Sequence, residues 1–84
     1  MATTDNWHVY ILECADGSLY TGITNNLEKR LETHNKGKGA KYTRSRLPVK
    51  LVWAVETGFK KSAMMLEFHI KSYSRKEKLE LISS

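Results

Sequence analysis

The chain predicts a single α/β domain of the α+β type, a small three-stranded sheet entered by a β-hairpin and flanked by helices, in the order β-β-α-β-α-α. Three observations predict it. Residues 7–14 and 18–24 alternate in polarity, are rich in aromatic and β-branched types, and are separated by Asp16-Gly17, which reads as a hairpin. Residues 26–36 and 60–72 carry apolar residues at helical spacing, and a β-rich run from Val49 to Thr57 stands between them after Pro48. With 84 residues there is room for one domain, spanning 1–84 with its core at about 7–82.

The hairpin's loop length decides which residues share a face, because successive side chains on a strand point to opposite sides. A two-residue Asp16-Gly17 turn places Tyr10 and Tyr20 on opposite faces. A three-residue loop, Ala15-Asp16-Gly17 with Gly17 left-handed, pairs Leu12 with Tyr20 and Tyr10 with Gly22, so both tyrosines share a face. Val9, Ile11, Leu19 and Ile23 then form the other, apolar face. The first helix takes Asn25 or Asn26 as its cap and aligns Leu27, Arg30, Leu31 and His34 on one stripe. Gly58 ends the third strand, a helix follows over about Lys60–Ser72, and Ser74 caps a last one over about Arg75–Ile82.

Charge narrows the function classes. The formal net charge is +5 at pH 7, and no acidic residue lies between Glu32 and Glu56. That interval holds Lys36, Lys38, Lys41, Arg44, Arg46 and Lys50, interleaved with Tyr42 and loosened by Gly37 and Gly39. Such a segment attracts a phosphate backbone by Coulomb attraction and counterion release; without a partner it is a solvated basic loop. The longest apolar run, Leu51–Val55, is far too short for a membrane span, and the N-terminus lacks a signal pattern. A cytoplasmic protein with no membrane partner is expected. Cys14 is the single cysteine, which excludes an internal disulfide and a cysteine-based zinc site.

The triplets His8-Val9-Tyr10 and Tyr20-Thr21-Gly22, followed by Thr24-Asn25-Asn26-Leu27, Arg30-Leu31, His34-Asn35 and the run from Lys36 through Arg46, resemble the GIY-YIG nuclease family, and within it the small stand-alone bacterial members. The resemblance covers about residues 7–82. It implies a metal-dependent endonuclease acting on DNA, with RNA not excluded, and one magnesium or manganese ion bound together with substrate. It also implies that Tyr10 and Tyr20 line the site, one of them activating water, and that the family's metal-binding glutamate is Glu67.

The residues themselves supply a part for each need of phosphodiester cleavage. Arg30 can hold a phosphate oxygen in its fork of donors and stabilise transition-state charge; its bland role is a surface pair with Glu28 or Glu32. Glu67 borders the apolar stripe of Ala63, Leu66, Ile70 and Tyr73. On residue type alone it pairs with a Lys or Arg, yet magnesium suits a lone carboxylate because that ion keeps several waters. A tyrosine needs positive charge nearby to act as a base near neutrality. His34, near a helix end, is favoured in its protonated form by the carbonyl dipoles, or else acts within the site. Taken with what the resemblance implies, the candidate catalytic residues are Tyr10, Tyr20, Arg30, His34 and Glu67, with Glu67 as metal ligand. Lys36, Lys38, Lys41, Tyr42, Arg44 and Arg46 are the candidate nucleic-acid contacts. The chain departs from the family pattern at His8, where the family has glycine, at Ile23, where several nucleases carry lysine, and at Leu79-Glu80, where larger members have asparagine. A non-catalytic nucleic-acid-binding module and a protein-interaction domain serving a repair or recombination complex are the alternative classes.

Overall fold

A computed structural model describes residues 6–84; the N-terminal residues 1–5, part of the stretch read for a signal pattern, lie outside the described residues. The elements are β1 Trp7–Glu13, β2 Leu19–Thr24, α1 Leu27–Asn35, α2 Lys41–Arg44, β3 Lys50–Gly58, α3 Lys60–Lys71 and α4 Arg75–Ser83. The expected order holds, with one addition: a single helical turn, α2, inside the segment read as a basic loop. The sheet is antiparallel, in the order β2-β1-β3. No helix among the described residues is long and apolar enough to cross a membrane.

The hairpin adopts the three-residue loop. Tyr10 faces Gly22 and Leu12 faces Tyr20 across the ladder, the Cys14 N–H donates to Ser18 O at 2.8 Å, and Gly17 takes a φ of 86°, a conformation glycine reaches without steric cost. Asp16 Oδ1 accepts from the Ser18 N–H at 3.0 Å and from its hydroxyl, fixing the turn from within.

The register divides the core into two layers. On one face Val9 and Ile11 pack with Ala63 and Ile70 of α3, joined by Trp7, Leu19, Ile23, Trp53, Leu66, Leu81 and Ile82. On the other, Tyr10, Leu12, Cys14 and Val49 pack beneath Leu27 and Leu31 of α1, beside Tyr20 and Leu47. Asn26 caps α1 by accepting from the Lys29 N–H at 3.1 Å. Gly37, at φ 76°, ends it, with the Lys38 N–H returning to Thr33 O at 3.1 Å. Asn35 then ties the helix end to the approach to β3, donating to Val49 O at 3.1 Å and accepting from the Val49 N–H at 2.8 Å. Ser74 caps α4 in a capping box with Glu77. Tyr73 departs from expectation. It lies beyond the end of α3, 38% exposed, and belongs to a surface cleft instead of the apolar stripe.

Candidate active site

Three segments meet on the α1 side of the sheet, and the contacts follow from their local geometry. The register places Tyr10 on β1 opposite Gly22 on β2. A Cβ at Gly22 would stand 2.6 Å from Tyr10 Oη and 3.1 Å from Tyr20 Cε2, so the phenol occupies the space that any side chain at 22 would take. Beyond the left-handed Gly37, the chain returns over α1 and lays Gly39 against the imidazole of His34, where a Cβ would lie 2.8 Å from Cγ. The single turn α2 then delivers Thr43, fully buried, beside the same ring.

The result is one directed chain of hydrogen bonds. Thr43 Oγ1 donates to Ala40 O at 2.9 Å, so it accepts from His34 Nδ1 at 2.9 Å. That leaves Nε2 bare, and Tyr10 Oη donates to it at 2.9 Å. Arg30 Nε in turn donates to Tyr10 Oη at 3.4 Å. The tautomer is assigned from these partners. Burial, then the charge of Arg30, pushes His34 down to about 4, so it is neutral at pH 7. The expectation of a protonated His34 is thus corrected: desolvation of the buried ring outweighs the helix-end dipole. Burial also raises the pKa of Tyr10, opposed by the hydrogen bond from Arg30.

Around this chain stand partly exposed groups. Tyr20 lies with its ring centroid 6.5 Å from that of Tyr10 and 5.5 Å from that of His34, and its hydroxyl makes no hydrogen bond among the described residues. Arg30 forms no ion pair among the described residues, so the surface pair with Glu28 or Glu32 is not made; Glu32 pairs with Lys36 at 3.9 Å. Glu67, on α3, adds its charge last, after burial and Tyr20, to what raises the pKa of Tyr10. Lys71 Nζ pairs with Glu67 Oε2 at 3.2 Å and stands 6.0 Å from the Tyr20 ring centroid.

The basic segment is less loose than expected. Arg46 is pinned, donating to Asp16 Oδ2 at 3.1 Å and to Tyr42 O at 2.6 Å, with its guanidinium 4.0 Å from the Tyr42 ring centroid. Tyr42 in turn stacks on Tyr20 at 6.0 Å and 25°. Lys38, Lys41 and Arg44 are exposed and make no ion pair among the described residues. Sequence reasoning gave Thr43 and Lys71 no role, and took Gly39 only as loosening the basic segment and Gly22 only as part of a triplet opposite Tyr10. Lys71 follows Glu67 by four residues, which was the one legible signal.

No cluster of three or more His, Cys, Asp or Glu side chains among the described residues could hold a metal ion. The single oxygen donor Glu67 therefore does not fit zinc, but it fits a hard, largely hydrated cation completed by phosphate oxygens.

A compact α+β domain with two tyrosines, a histidine and an arginine gathered at a sheet edge, opposite one helix carboxylate, defines a nuclease-type domain. The chain belongs to the GIY-YIG family: the pattern of the GIY-YIG catalytic domain matches residues 6–80. It is 59% identical over 75 residues to a UPF0213 protein of Bacillus licheniformis, covering 89% of this chain and 77% of that one. A UPF0213 protein of Clostridium perfringens is 58% identical over 77 residues, covering 92% and 83%. The solution NMR structure of a UPF0213 protein from Bacillus halodurans superposes with a TM-score of 0.59 at 48% identity, covering 92% of this chain and 82% of that one. GIY-YIG nucleases generally use divalent metal ions.

Proposed function

We propose that the protein is an endonuclease hydrolysing DNA phosphodiester bonds with a magnesium or manganese ion held at Glu67. The observation that carries this reading is the chain Arg30–Tyr10–His34–Thr43, which holds an arginine with no carboxylate partner among the described residues beside an open tyrosine. Arg30 keeps its terminal nitrogens for a phosphate oxygen and stabilises the charge that develops on the phosphorane. Tyr10, its proton held by His34, is a positioning residue for Arg30. Tyr20, whose hydroxyl makes no hydrogen bond among the described residues, hydrogen-bonds the attacking water and takes its proton as general base. When bound, the divalent ion supplies Lewis-acid charge to the scissile phosphate. Lys38, Lys41, Tyr42 and Arg44 hold the flanking backbone, and Lys36 and Arg46 act there only at the expense of their present pairs.

One observation favours a second reading, a nucleic-acid-binding module that keeps the fold: the Lys71 ammonium already neutralises Glu67. Cleavage assays on branched and linear DNA with magnesium or manganese decide between the two. Wild-type protein is expected to cut and Glu67→Gln to bind without cutting. Tyr20→Phe, which breaks no hydrogen bond, is expected to lower kcat by about 100-fold or more at unchanged stability. Equal cleavage by wild-type and Glu67→Gln would remove Glu67 from the chemistry, and wild-type binding without cleavage on any substrate would establish the module.

A further inference from the structure

Beside the catalytic cluster, on the far side of Tyr42, lies a cleft of about 230 Å³ lined by Ser18, Leu19, Tyr42, Tyr73, Arg75 and Lys78. Its volume is below the roughly 300 Å³ at which sites begin to enclose a whole small-molecule ligand, and suits one unit of a polymer. Tyr42 and Tyr73 are 41% and 38% exposed, so each presents an unburied ring edge or face. Arg75 is fixed by donating to Gly17 O at 2.8 Å. Lys78 is half-buried on α4 and has no ion pair among the described residues; burial and the charge of Lys71 both disfavour its ammonium. No acidic residue lines the cleft, and Asp16, Glu67 and Glu77 are engaged elsewhere: Asp16 with Ser18 and Arg46, Glu67 with Lys71, and Glu77 with the Ser74 N–H. Two cations drawn together without a carboxylate are a cost the fold bears unless an anion joins them.

We propose that this cleft is a nucleotide subsite that holds one unpaired nucleotide of the substrate strand next to the scissile phosphate, its phosphate on Lys78 and Arg75 and its base against Tyr73. Tyr42, stacked on Tyr20, covered by the Arg46 guanidinium and also lining the cleft, joins the reacting position to this neighbour. Cation and aromatic side by side suit a single strand, whose phosphate and exposed base face are both available; an acidic peptide offers the first without the second. The location rests on the nuclease reading, but the binding does not require cleavage, so the test is done without metal.

Binding of a short fluorescein-labelled single-stranded oligonucleotide in EDTA is measured across a salt series for wild-type, Lys78→Gln and Tyr73→Ala. Lys78→Gln is expected to weaken binding several-fold and to reduce the salt slope by about 0.7, the value for one lost phosphate contact on a single strand. Tyr73→Ala is expected to weaken it roughly 5-fold or more at an unchanged slope. Photocrosslinking with 5-iododeoxyuridine moved along the strand should label the peptide containing Tyr73 from one position or two adjacent ones. Unchanged slope in Lys78→Gln, or crosslinks that never reach Tyr73, overturn the subsite. Displacement of the oligonucleotide by polyglutamate as readily as by unlabelled DNA would mark the cleft as a site for acidic protein and overturn it likewise. Loss of cleavage in wild-type with these binding effects intact would refute only the nuclease reading.

Discussion

The two faces of the sheet are built from the same two strands and solve opposite problems. Behind the sheet, Val9, Ile11, Ala63 and Ile70 form an apolar cluster stabilised by burial of area, with Thr21, buried opposite Ile11, as a polar neighbour whose hydroxyl has no hydrogen-bond partner among the described residues. In front, the corresponding depth is filled by Tyr10, His34 and Thr43, all at most 2% exposed, whose polar atoms are matched one to one. A buried polar network stabilises only while every member is satisfied. The dry layer therefore sets how stable the domain is, and the polar layer sets where Arg30 and Tyr20 stand. The contrast teaches that stability and function are separable by face, although they share β1 residue by alternate residue.

The largest stability effect should come from the dry face. Ile70→Ala removes a side chain 1% exposed and is expected to cost about 2–5 kcal/mol in urea denaturation, while folded protein keeps its substrate affinity; an equal loss of affinity in the folded state would break the separation. Next, Gly22→Ala inserts a methyl group where Tyr10 Oη lies. It is expected to cost about 1–3 kcal/mol, yet to reduce cleavage far more than Ile70→Ala does, since it moves the phenol that positions Arg30.

A subtler effect follows from His34. Its folded value of about 4 lies below the ordinary 6.5, so between these values the unfolded chain binds more protons than the native one. Stability is fully present above pH 6.5, declines as pH falls, and levels off below about 4. Wild-type denaturation midpoints should show this decline and His34→Gln should lack it; matching curves would show that the buried histidine is not the titrating group. The smallest effect belongs to the partly exposed Lys71–Glu67 pair: Lys71→Gln should change stability by about 0–1 kcal/mol while tightening divalent-cation binding at Glu67, read by calorimetry.

Much of the fold was legible because each element carries a local signal: alternation in β1 and β2, Asn26 and Ser74 as caps, Gly17 as the left-handed residue of the loop and Gly58 as the end of β3. The hairpin register was open between two loops, and the choice is tied to contacts far along the chain. The four-residue α2 is shorter than any helical periodicity can reveal. The polar chain was legible only in part. Tyr10, Arg30 and His34 stand in recognisable surroundings, but Thr43 is an ordinary threonine until Gly39 brings it to the ring, and the need for glycine at 22 and 39 lies in what presses against them. Tyr73 was misplaced because helical spacing continues past a helix that stops at Lys71.

The hairpin turn carries a kinetic consequence. Ala15 N–H bonds Arg46 O at 2.8 Å, Asp16 holds the Arg46 side chain, and Gly17 O holds Arg75, so three consecutive residues fasten both the basic segment and the last helix. Closing loops of that span is entropically slow and is rewarded only once both ends arrive. The turn is thus a late fastener, and protection of the amides of Ala15 and of Lys78, whose N–H closes the first turn of α4 on Ser74 O at 3.0 Å, should appear together in pulsed hydrogen exchange, after the strands of the hairpin are already protected.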